Sequence, residues 1–477
     1  MTPRSENKVD LFERPRSFSY DEPSPMTGNL PHNYWNPRIE LMPRPDLEAL
    51  QEKRLRFLVR YVWDRCPFYR KKMEQARITP EDIDSLGDFF DAFPVTTREE
   101  LQNDQLENPP YGSRLCVKPE DTFRFHSTSG STGAGRIRVL DTQRDWLWGS
   151  TCWASALYNF GVRREDTVFI TFGYGTFIGF WGAHYAFDRI GCKVIPAGPF
   201  DTRTRLHMLQ ETKATVLVST PSYAMRLAYV AEEIGLDLRN NAAVKKLVCS
   251  GEPGATISST RKRLEQTFGA SVGDFMGTTE TAGLIGFTCF AQCDGMHLNE
   301  DRFITEVLDH KTFDPVPEGA RGVMVVTPLI KEAMPLLRYV TNDAVVKVNH
   351  NHCTCGRTFD ILRGGILARY DNMVKVRGVF ITPSLIEEVV REYPDVEEFY
   401  TTVETVQGLD TTVVKLDPKF GVPEEKFEEI AIKIGRRFKE HIGITPMIQK
   451  VAHGTLPRYE GKSSRFKDLR AKGSEGR

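Results

Sequence analysis

The 477-residue chain contains no apolar run long enough to cross a bilayer. Its first ten residues are polar and charged, unlike a secretory signal. Nor is there an excess of charge of either sign. Lys and Arg number 63 against 64 Asp and Glu, which excludes a basic surface for nucleic acid. No internal repeat is visible. The nine cysteines lack the spacing of a small disulfide scaffold, and an odd number cannot all pair within the chain. They predict a reducing, cytoplasmic compartment in which clustered cysteines bind metal. Two common phosphate-binding signatures are also missing. There is no G-x-x-x-x-G-K-[ST], and no G-x-G-x-x-G opens a helix after a strand.

What the chain does have is the stretch Phe125-His126-Ser127-Thr128-Ser129-Gly130-Ser131-Thr132-Gly133-Ala134-Gly135-Arg136, with three glycines and five hydroxyl residues in twelve positions. Glycines let backbone N–H groups approach an anion closely, and hydroxyls add donors to phosphate oxygens. A flexible Ser/Gly linker has the same composition, so the surrounding chain decides between the two.

The length is too great for one compact core and implies two or more domains. Residues 1–30 are rich in Pro, Ser and charge, and read as a flexible tail. A helical stripe starts near Pro45 and ends at Cys66-Pro67. From residue 141, strands at 167–172, 193–196, 215–219, 244–249 and 271–276 alternate with helices through Trp181, at 202–211, at 221–234 and at 258–268. This predicts an α/β fold, its large N-terminal domain (31–370) built on mostly parallel sheets covered by helices. After residue 302 a small antiparallel β unit is expected, and residues 371–477 read as a small mobile α+β C-terminal domain. Glycine turns at Gly173, Gly175, Gly251 and Gly277 fall at the carboxyl ends of strands, where such sheets bind ligands.

Five further stretches follow the Ser/Gly loop. They are Cys249-Ser250-Gly251-Glu252-Pro253, Asp274-Phe275-Met276-Gly277-Thr278-Thr279-Glu280, Leu337 to Asp343, Arg369 to Val379, and Leu456 to Lys462. In this order and spacing they resemble the motifs of the adenylate-forming acyl-CoA synthetase superfamily. The match is best with its phenylacetate–CoA ligase branch, through Tyr34-Trp35-Asn36-Pro37, Gly251-Glu252-Pro253-Gly254, Gly295 to Asp301, Cys353 to Thr358 and Pro457 to Lys462.

The resemblance implies an ATP- and Mg²⁺-dependent ligase. A carboxylic acid would be activated as acyl-AMP and passed to CoA, releasing AMP and pyrophosphate. It assigns Ser127, Thr128, Ser129, Gly130, Ser131, Thr132 and Gly133 to the phosphates, Thr279 to the α-phosphate and Glu280 to Mg²⁺. Gly251, Glu252, Pro253, Asp274, Phe275, Met276, Gly277 and Thr278 would line the adenine. Asp343, with Arg369 nearby, would hold the ribose. Lys462 would act in adenylation, Asp371 would be the domain hinge, and Arg377, Gly378 and Val379 would border the thiol tunnel. A homodimer is also a family expectation. Two departures stand out: Ala134 replaces a frequent loop lysine, and Met276 replaces an aromatic that stacks on adenine.

The resemblance also places the acyl pocket at Phe172, Tyr174, Phe177, Phe180 and Trp181, with His184, Ser222 and Tyr223, and the aromatic run there favours an aromatic or aryl-acetic acid. Tyr174 and His184 can meet a ring hydroxyl or amine. A plain aromatic core helix would have the same composition. Cys353-x-Cys355 suggests a structural Zn²⁺, its other ligands drawn from Cys249, Cys289, Cys293 and His297. The expected set is Cys249, Cys289, Cys353 and Cys355, with His297 as the alternate. A carrier-protein pantetheine or an amine is an equally admissible acceptor, and a non-catalytic nucleotide- or acyl-AMP-binding protein is the rival of another class.

Overall fold

The computed structural model describes residues 33–128, 135–291, 294–406, 409–459 and 464–470. The expected tail, the loop residues Ser129, Gly130, Ser131, Thr132 and Gly133, and Lys462 lie outside the described residues.

A hairpin of β1 (Arg124–Ser127) and β2 (Arg138–Asp141) carries the two ends of the Ser/Gly loop. The central sheet follows. Strands β3 (Thr167–Ile170), β4 (Lys193–Pro196), β5 (Val216–Ser219), β6 (Lys246–Ser250) and β7 (Ser271–Gly277) pair in parallel, in the order β4-β3-β5-β6-β7. Period-two alternation splits their side chains between two cores. Val216, Val218 and Val248 face the helices Gln143–Asn159 and Ile178–Ile190, while Leu217, Leu247 and Cys249 face Thr202–Glu211, Pro221–Glu233 and Ser258–Phe268. A parallel sheet needs this cover on both faces.

The antiparallel part is an extension of the same sheet. Strands β8 (Leu284–Phe287), β9 (Gly295–Leu298), β10 (Phe303–Leu308), β11 (Arg321–Pro328), β12 (Tyr339–Val348) and β13 (Ile361–Arg363) continue it from β7 in the order β7-β8-β9-β13-β12-β11-β10, and β14 (Ala368–Arg369) pairs with β12. Asp343 therefore lies within a ten-residue strand.

The expected stop at Cys66 is also the start of another helix. Cys66 ends Arg44–Arg65 and precedes Pro67–Ala76, because proline's fixed φ suits the first turn of a helix. Helices Leu86–Ala92, Arg98–Glu107 and Gln143–Asn159 each open on a capping box, at Ser85, Thr97 and Thr142.

The C-terminal unit has its own core around Phe399, Phe427, Ile434 and Phe438. Its hairpin is β15 (Val374–Val376) and β16 (Val379–Ile381). Its sheet, β17 (Val396–Val406), β18 (Leu409–Pro418), β19 (Met447–Lys450) and β20 (Phe466–Asp468), has the order β19-β18-β17-β20. Helices Pro383–Arg391 and Glu424–His441 cover it. The seam with the large unit is polar. Tyr229 donates to the Val396 carbonyl (3.2 Å), and buried Arg465 clasps Glu398 (2.6 and 2.9 Å) and donates to Ser222 Oγ (2.6 Å).

Candidate active site

The neck of the Ser/Gly loop is fixed by hydrogen bonds. Ser127 donates its N–H to the Thr176 carbonyl (3.1 Å) and shares a hydroxyl bond with Thr176 (2.9 Å). Thr128 donates its N–H to the Ile137 carbonyl (3.0 Å), and its hydroxyl accepts from the Ile137 N–H (3.0 Å). Both described ends of the loop are thus held beside the aromatic run.

At the end of β7 the chain turns so tightly that a Cβ on Gly277 would come within 2.7 Å of the Gly283 carbonyl. That close approach requires glycine, and it sets Thr279 and Glu280 into the cleft wall, both buried. Glu280 Oε1 accepts from Arg98 Nη1 (2.8 Å) and from the Tyr339 hydroxyl (3.1 Å). Arg98 Nη2 also donates to Thr128 Oγ1 (3.1 Å). One guanidinium therefore ties the loop neck to the carboxylate expected to hold Mg²⁺. The sequence reading gave Arg98 and Tyr339 no role at this site. The capping box at Thr97 marks only a helix start, and nothing local tells Arg98 from any first-turn charge.

Asp343 lies four residues beyond Tyr339 on β12. Arg369, its cross-strand partner, reaches Asp343 Oδ1 (3.4 Å) and Asp371 Oδ2 (3.2 Å). Burial pushes the Asp343 carboxyl up to about 6, and the Arg369 guanidinium opposes that shift. Asp371 is exposed in the turn between β14 and β15.

The adenine-wall residues divide. Gly251, Pro253, Met276, Gly277 and Thr278 are at least partly exposed at the strand ends. Glu252 Oε1 accepts from the Ser222 N–H (2.9 Å). Asp274 is buried and accepts from the Thr256 and Phe275 N–H groups (3.2 and 3.0 Å), and burial pushes it up to about 7. The Phe275 ring packs among Trp153 and Phe160 in the core, so only its backbone borders the cleft.

In the expected acyl pocket, Tyr174, Trp181 and His184 come together. The Tyr174 hydroxyl pairs with His184 Nδ1 (2.7 Å), and Trp181 donates to the Gly175 carbonyl (2.9 Å). Phe177 packs on Phe180, which stacks on buried Phe172. Ser222 and Tyr223 stand apart from this group. Ser222 is taken up by Arg465, and Tyr223 is fully buried behind the sheet, its hydroxyl on Thr202 (3.1 Å).

Arg377 and Gly378, at φ 47° and 87°, form the left-handed turn joining β15 to β16. Arg377 is tied back to the Asp410 carbonyl (2.8 Å) and Thr411 (3.1 Å), and Val379 opens β16.

The cysteine cluster differs from the expected set. Cys289, His297, Cys353 and Cys355 place their ligand atoms within 4.8 Å of one another. Cys249 is excluded because strand alternation points it to the opposite face of the sheet, among Leu247 and Tyr223. His297 takes its place. Its Nδ1 bonds the Phe359 carbonyl (2.9 Å), so Nδ1 carries the proton and Nε2 faces Cys355 Sγ (3.3 Å). Three thiols and a neutral imidazole fit a tetrahedral structural Zn²⁺. Cys293 lies outside the described residues.

The AMP-binding enzyme family profile matches residues 47–327, and the AMP-binding enzyme C-terminal domain profile matches 378–470. Phenylacetate-coenzyme A ligase of Thermus thermophilus is 33% identical over 457 residues, covering 91% of this chain and 99% of its own. That of Escherichia coli is 30% identical over 440 residues, covering 91% and 97%. The solved structure of 2-hydroxyisobutyryl-CoA ligase in its postadenylation state with 2-HIB-AMP superposes with a TM-score of 0.87 at 30% identity, covering 92% and 94% of the two chains. The same ligase with 2-HIB-AMP and CoA in its thioesterification state gives 0.70 at 30%, covering 93% and 94%. The present conformation is thus nearer the first. Among the described residues no helix is long and apolar enough to cross a membrane.

Proposed function

The chain belongs to the AMP-binding enzyme family, and from that premise we propose that it joins an aromatic or aryl-acetic acid to CoA in the cytoplasm. It is an ATP-dependent, AMP-forming acid–CoA ligase working through an acyl-AMP. The observation that carries the site assignment is the meeting of Arg98, Thr128, Glu280 and Tyr339 at the mouth of the Ser/Gly loop.

The proposed roles follow from donor chemistry. Ser127 to Gly133 cradle the phosphates with N–H and hydroxyl groups. Arg98 neutralises charge developing there. The described hydrogen bonds of Glu280 fall on Oε1, which leaves Oε2 for Mg²⁺, a hard cation suited to carboxylate oxygen. When bound, Mg²⁺ neutralises phosphate charge. Asp343 accepts from the ribose hydroxyls, Thr279 meets the α-phosphate, and Lys462 neutralises the carboxylate during adenylation. The C-terminal unit then swings about Asp371, bringing the Arg377–Gly378 turn and Val379 to the thiol. The polar seam around Arg465 and the better fit to a postadenylation structure support such a swing.

An aryl acid is favoured by the ring-rich wall of Tyr174, Phe177 and Trp181. The 2-hydroxyisobutyrate ligase, about as similar in sequence, acts on a small aliphatic acid, so the wall is what argues for a ring. Cys289, His297, Cys353 and Cys355 would hold Zn²⁺ as a staple between the β8–β9 hairpin and the β12–β13 connection, with no part in the chemistry. A dimer is proposed on the family resemblance, and sedimentation tests it. Mass spectrometry of products from ATP, Mg²⁺, CoA and a panel of aryl and aliphatic acids tests the main reading. An aryl-CoA thioester supports it, and turnover of aliphatic acids alone removes the aryl assignment. Acyl-AMP that ignores CoA points to a carrier-protein or amine acceptor.

A further inference from the structure

Behind the aromatic wall lies a patch that the proposed chemistry does not use. The rings run on from Tyr174 and Trp181 through Tyr185 to Trp146, and Trp146 stacks on His126 (centroids 5.4 Å apart, planes 22° apart). Trp146 shares an apolar group with Ile178 and with Ala282, two residues after Glu280. The patch therefore borders the far end of the proposed acyl pocket.

It is apolar in its rings but not in its edges. His126 is 2% exposed, yet neither ring nitrogen has a hydrogen-bond partner. Its Nε2 stands 3.8 Å from Asp141 Oδ2, too far for a bond, and Asp141 Oδ2 is itself unpartnered while Lys331 holds Oδ1. The Thr176 backbone carbonyl faces the ring without a well-formed bond, and its pull toward the protonated form is outweighed by burial. The Trp146 indole N–H, 5% exposed, and Arg124 Nε are unpartnered as well. Arg124 lies against the same rings, its Cζ 5.2 Å from Trp146, 5.1 Å from Tyr185 and 5.5 Å from Trp181. Buried polar groups nearly always find partners, because leaving one unpaired costs most of its desolvation. Several in one patch imply a missing partner. Tyr174 and His184 already satisfy each other, so the unmet capacity sits deeper, at His126 and Trp146.

We propose that this patch recognises an oxygen on the end of the acid remote from its carboxylate, so that the substrate is an oxygen-substituted aryl acid, a ring hydroxyl before all others. The donors set the preference. The Trp146 and Arg124 N–H groups only donate, so the ligand atom must accept. Burial pushes His126 down to about 4, so the neutral ring can accept the proton of a hydroxyl that Trp146 donates to. A site built around such a group rejects the analogue lacking it, whose binding would leave the same atoms unpaired.

This inference rests on the ligase reading, and one experiment separates the two. Acid-dependent thioester formation is measured for phenylacetate and benzoate, each unsubstituted and with a hydroxyl, methoxy or second carboxyl group on the ring. The expected result is a kcat/KM at least about tenfold higher for a hydroxylated acid. Trp146→Phe and His126→Phe, which keep the rings, should lower that preference while leaving the KM for ATP and the rate with unsubstituted acid unchanged. A wild-type preference for the unsubstituted acids overturns the inference and leaves the ligase standing, the polar atoms then serving a buried water. So does a parallel loss on both kinds of acid in the two variants. A methoxy or carboxyl preference keeps the oxygen site but removes the hydroxyl. No turnover of any acid defeats the ligase reading itself.

Discussion

Arg98 and Glu280 are 182 residues apart in sequence and meet at 2.8 Å, and the same guanidinium reaches Thr128 at the neck of the Ser/Gly loop. The pair ties the carboxylate proposed to bind metal to the neck of the loop proposed to hold the phosphates. Arg98→Ala is expected to lower acid-dependent ATP–pyrophosphate exchange about a hundredfold, the scale of losing one preorganised donor to developing charge. Arg98→Lys should recover part of this, as a point charge without the fork. Transfer from supplied acyl-AMP to CoA should change little. Equal loss in both half-reactions would make Arg98 a structural residue only.

Asp343 gives a pH dependence with two opposite signs. Burial raises its pKa to about 6, so the folded chain holds this proton more tightly than the unfolded one. The stability it contributes is present at low pH and is lost as pH rises through about 6. In its proposed role at the ribose the sign is reversed, because only the carboxylate accepts from both hydroxyls. The KM for ATP should therefore rise as pH falls below about 6, and Asp343→Asn should raise it at least about tenfold while flattening that rise. Titration of ATP binding by calorimetry from pH 5 to 8, on the order of the span of the transition, checks both.

The cluster of Cys289, His297, Cys353 and Cys355 predicts about one Zn²⁺ per chain by elemental analysis of protein purified without chelator. Cys355→Ser should lose the metal and lower the Tm, and Cys249→Ser should keep the metal. Metal-free wild-type protein of unchanged Tm would remove the site.

Arg465, buried at the seam, is the counter-charge of Glu398 and the link to Ser222. Arg465→Ala leaves buried Glu398 with only the Arg391 guanidinium, 3.5 Å away, so the loss should fall below the about 3–5 kcal/mol of stranding a buried charge outright. Thermal unfolding should show the loss. Ser222→Ala removes one of the hydrogen bonds between the units and leaves others, such as Tyr229 to the Val396 carbonyl, in place. It should leave the Tm near that of the wild type while slowing adenylation more than thioester formation from acyl-AMP. Equal rates in both half-reactions would deny the seam a role in setting the adenylation arrangement.

Much of the parallel half was legible because its punctuation is local. The helices Thr202–Glu211 and Ser258–Phe268 and the strand Lys193–Pro196 were expected at these same bounds. Asp201 caps the first helix, and Gly269, at φ 61°, ends the second. The antiparallel continuation was harder to read. β8 and β9 are four residues long and wholly buried, so no polar alternation marks them. Asp343 and the Cys353–Cys355 pair were visible as motif residues. The exchange of Cys249 for His297 was not, because it depends on which face of a strand each side chain takes. Arg98, His126 and Trp146 owe their significance to partners distant in sequence, which no local pattern records.

The most direct test of the central claim is a single-turnover reaction with ATP, Mg²⁺ and a hydroxylated aryl acid, first without CoA and then with it. The account predicts acyl-AMP and pyrophosphate in the first stage, then consumption of the acyl-AMP to thioester and AMP once CoA is added. Thioester formed with ADP and phosphate as products, or no acid-dependent pyrophosphate at all, would contradict it.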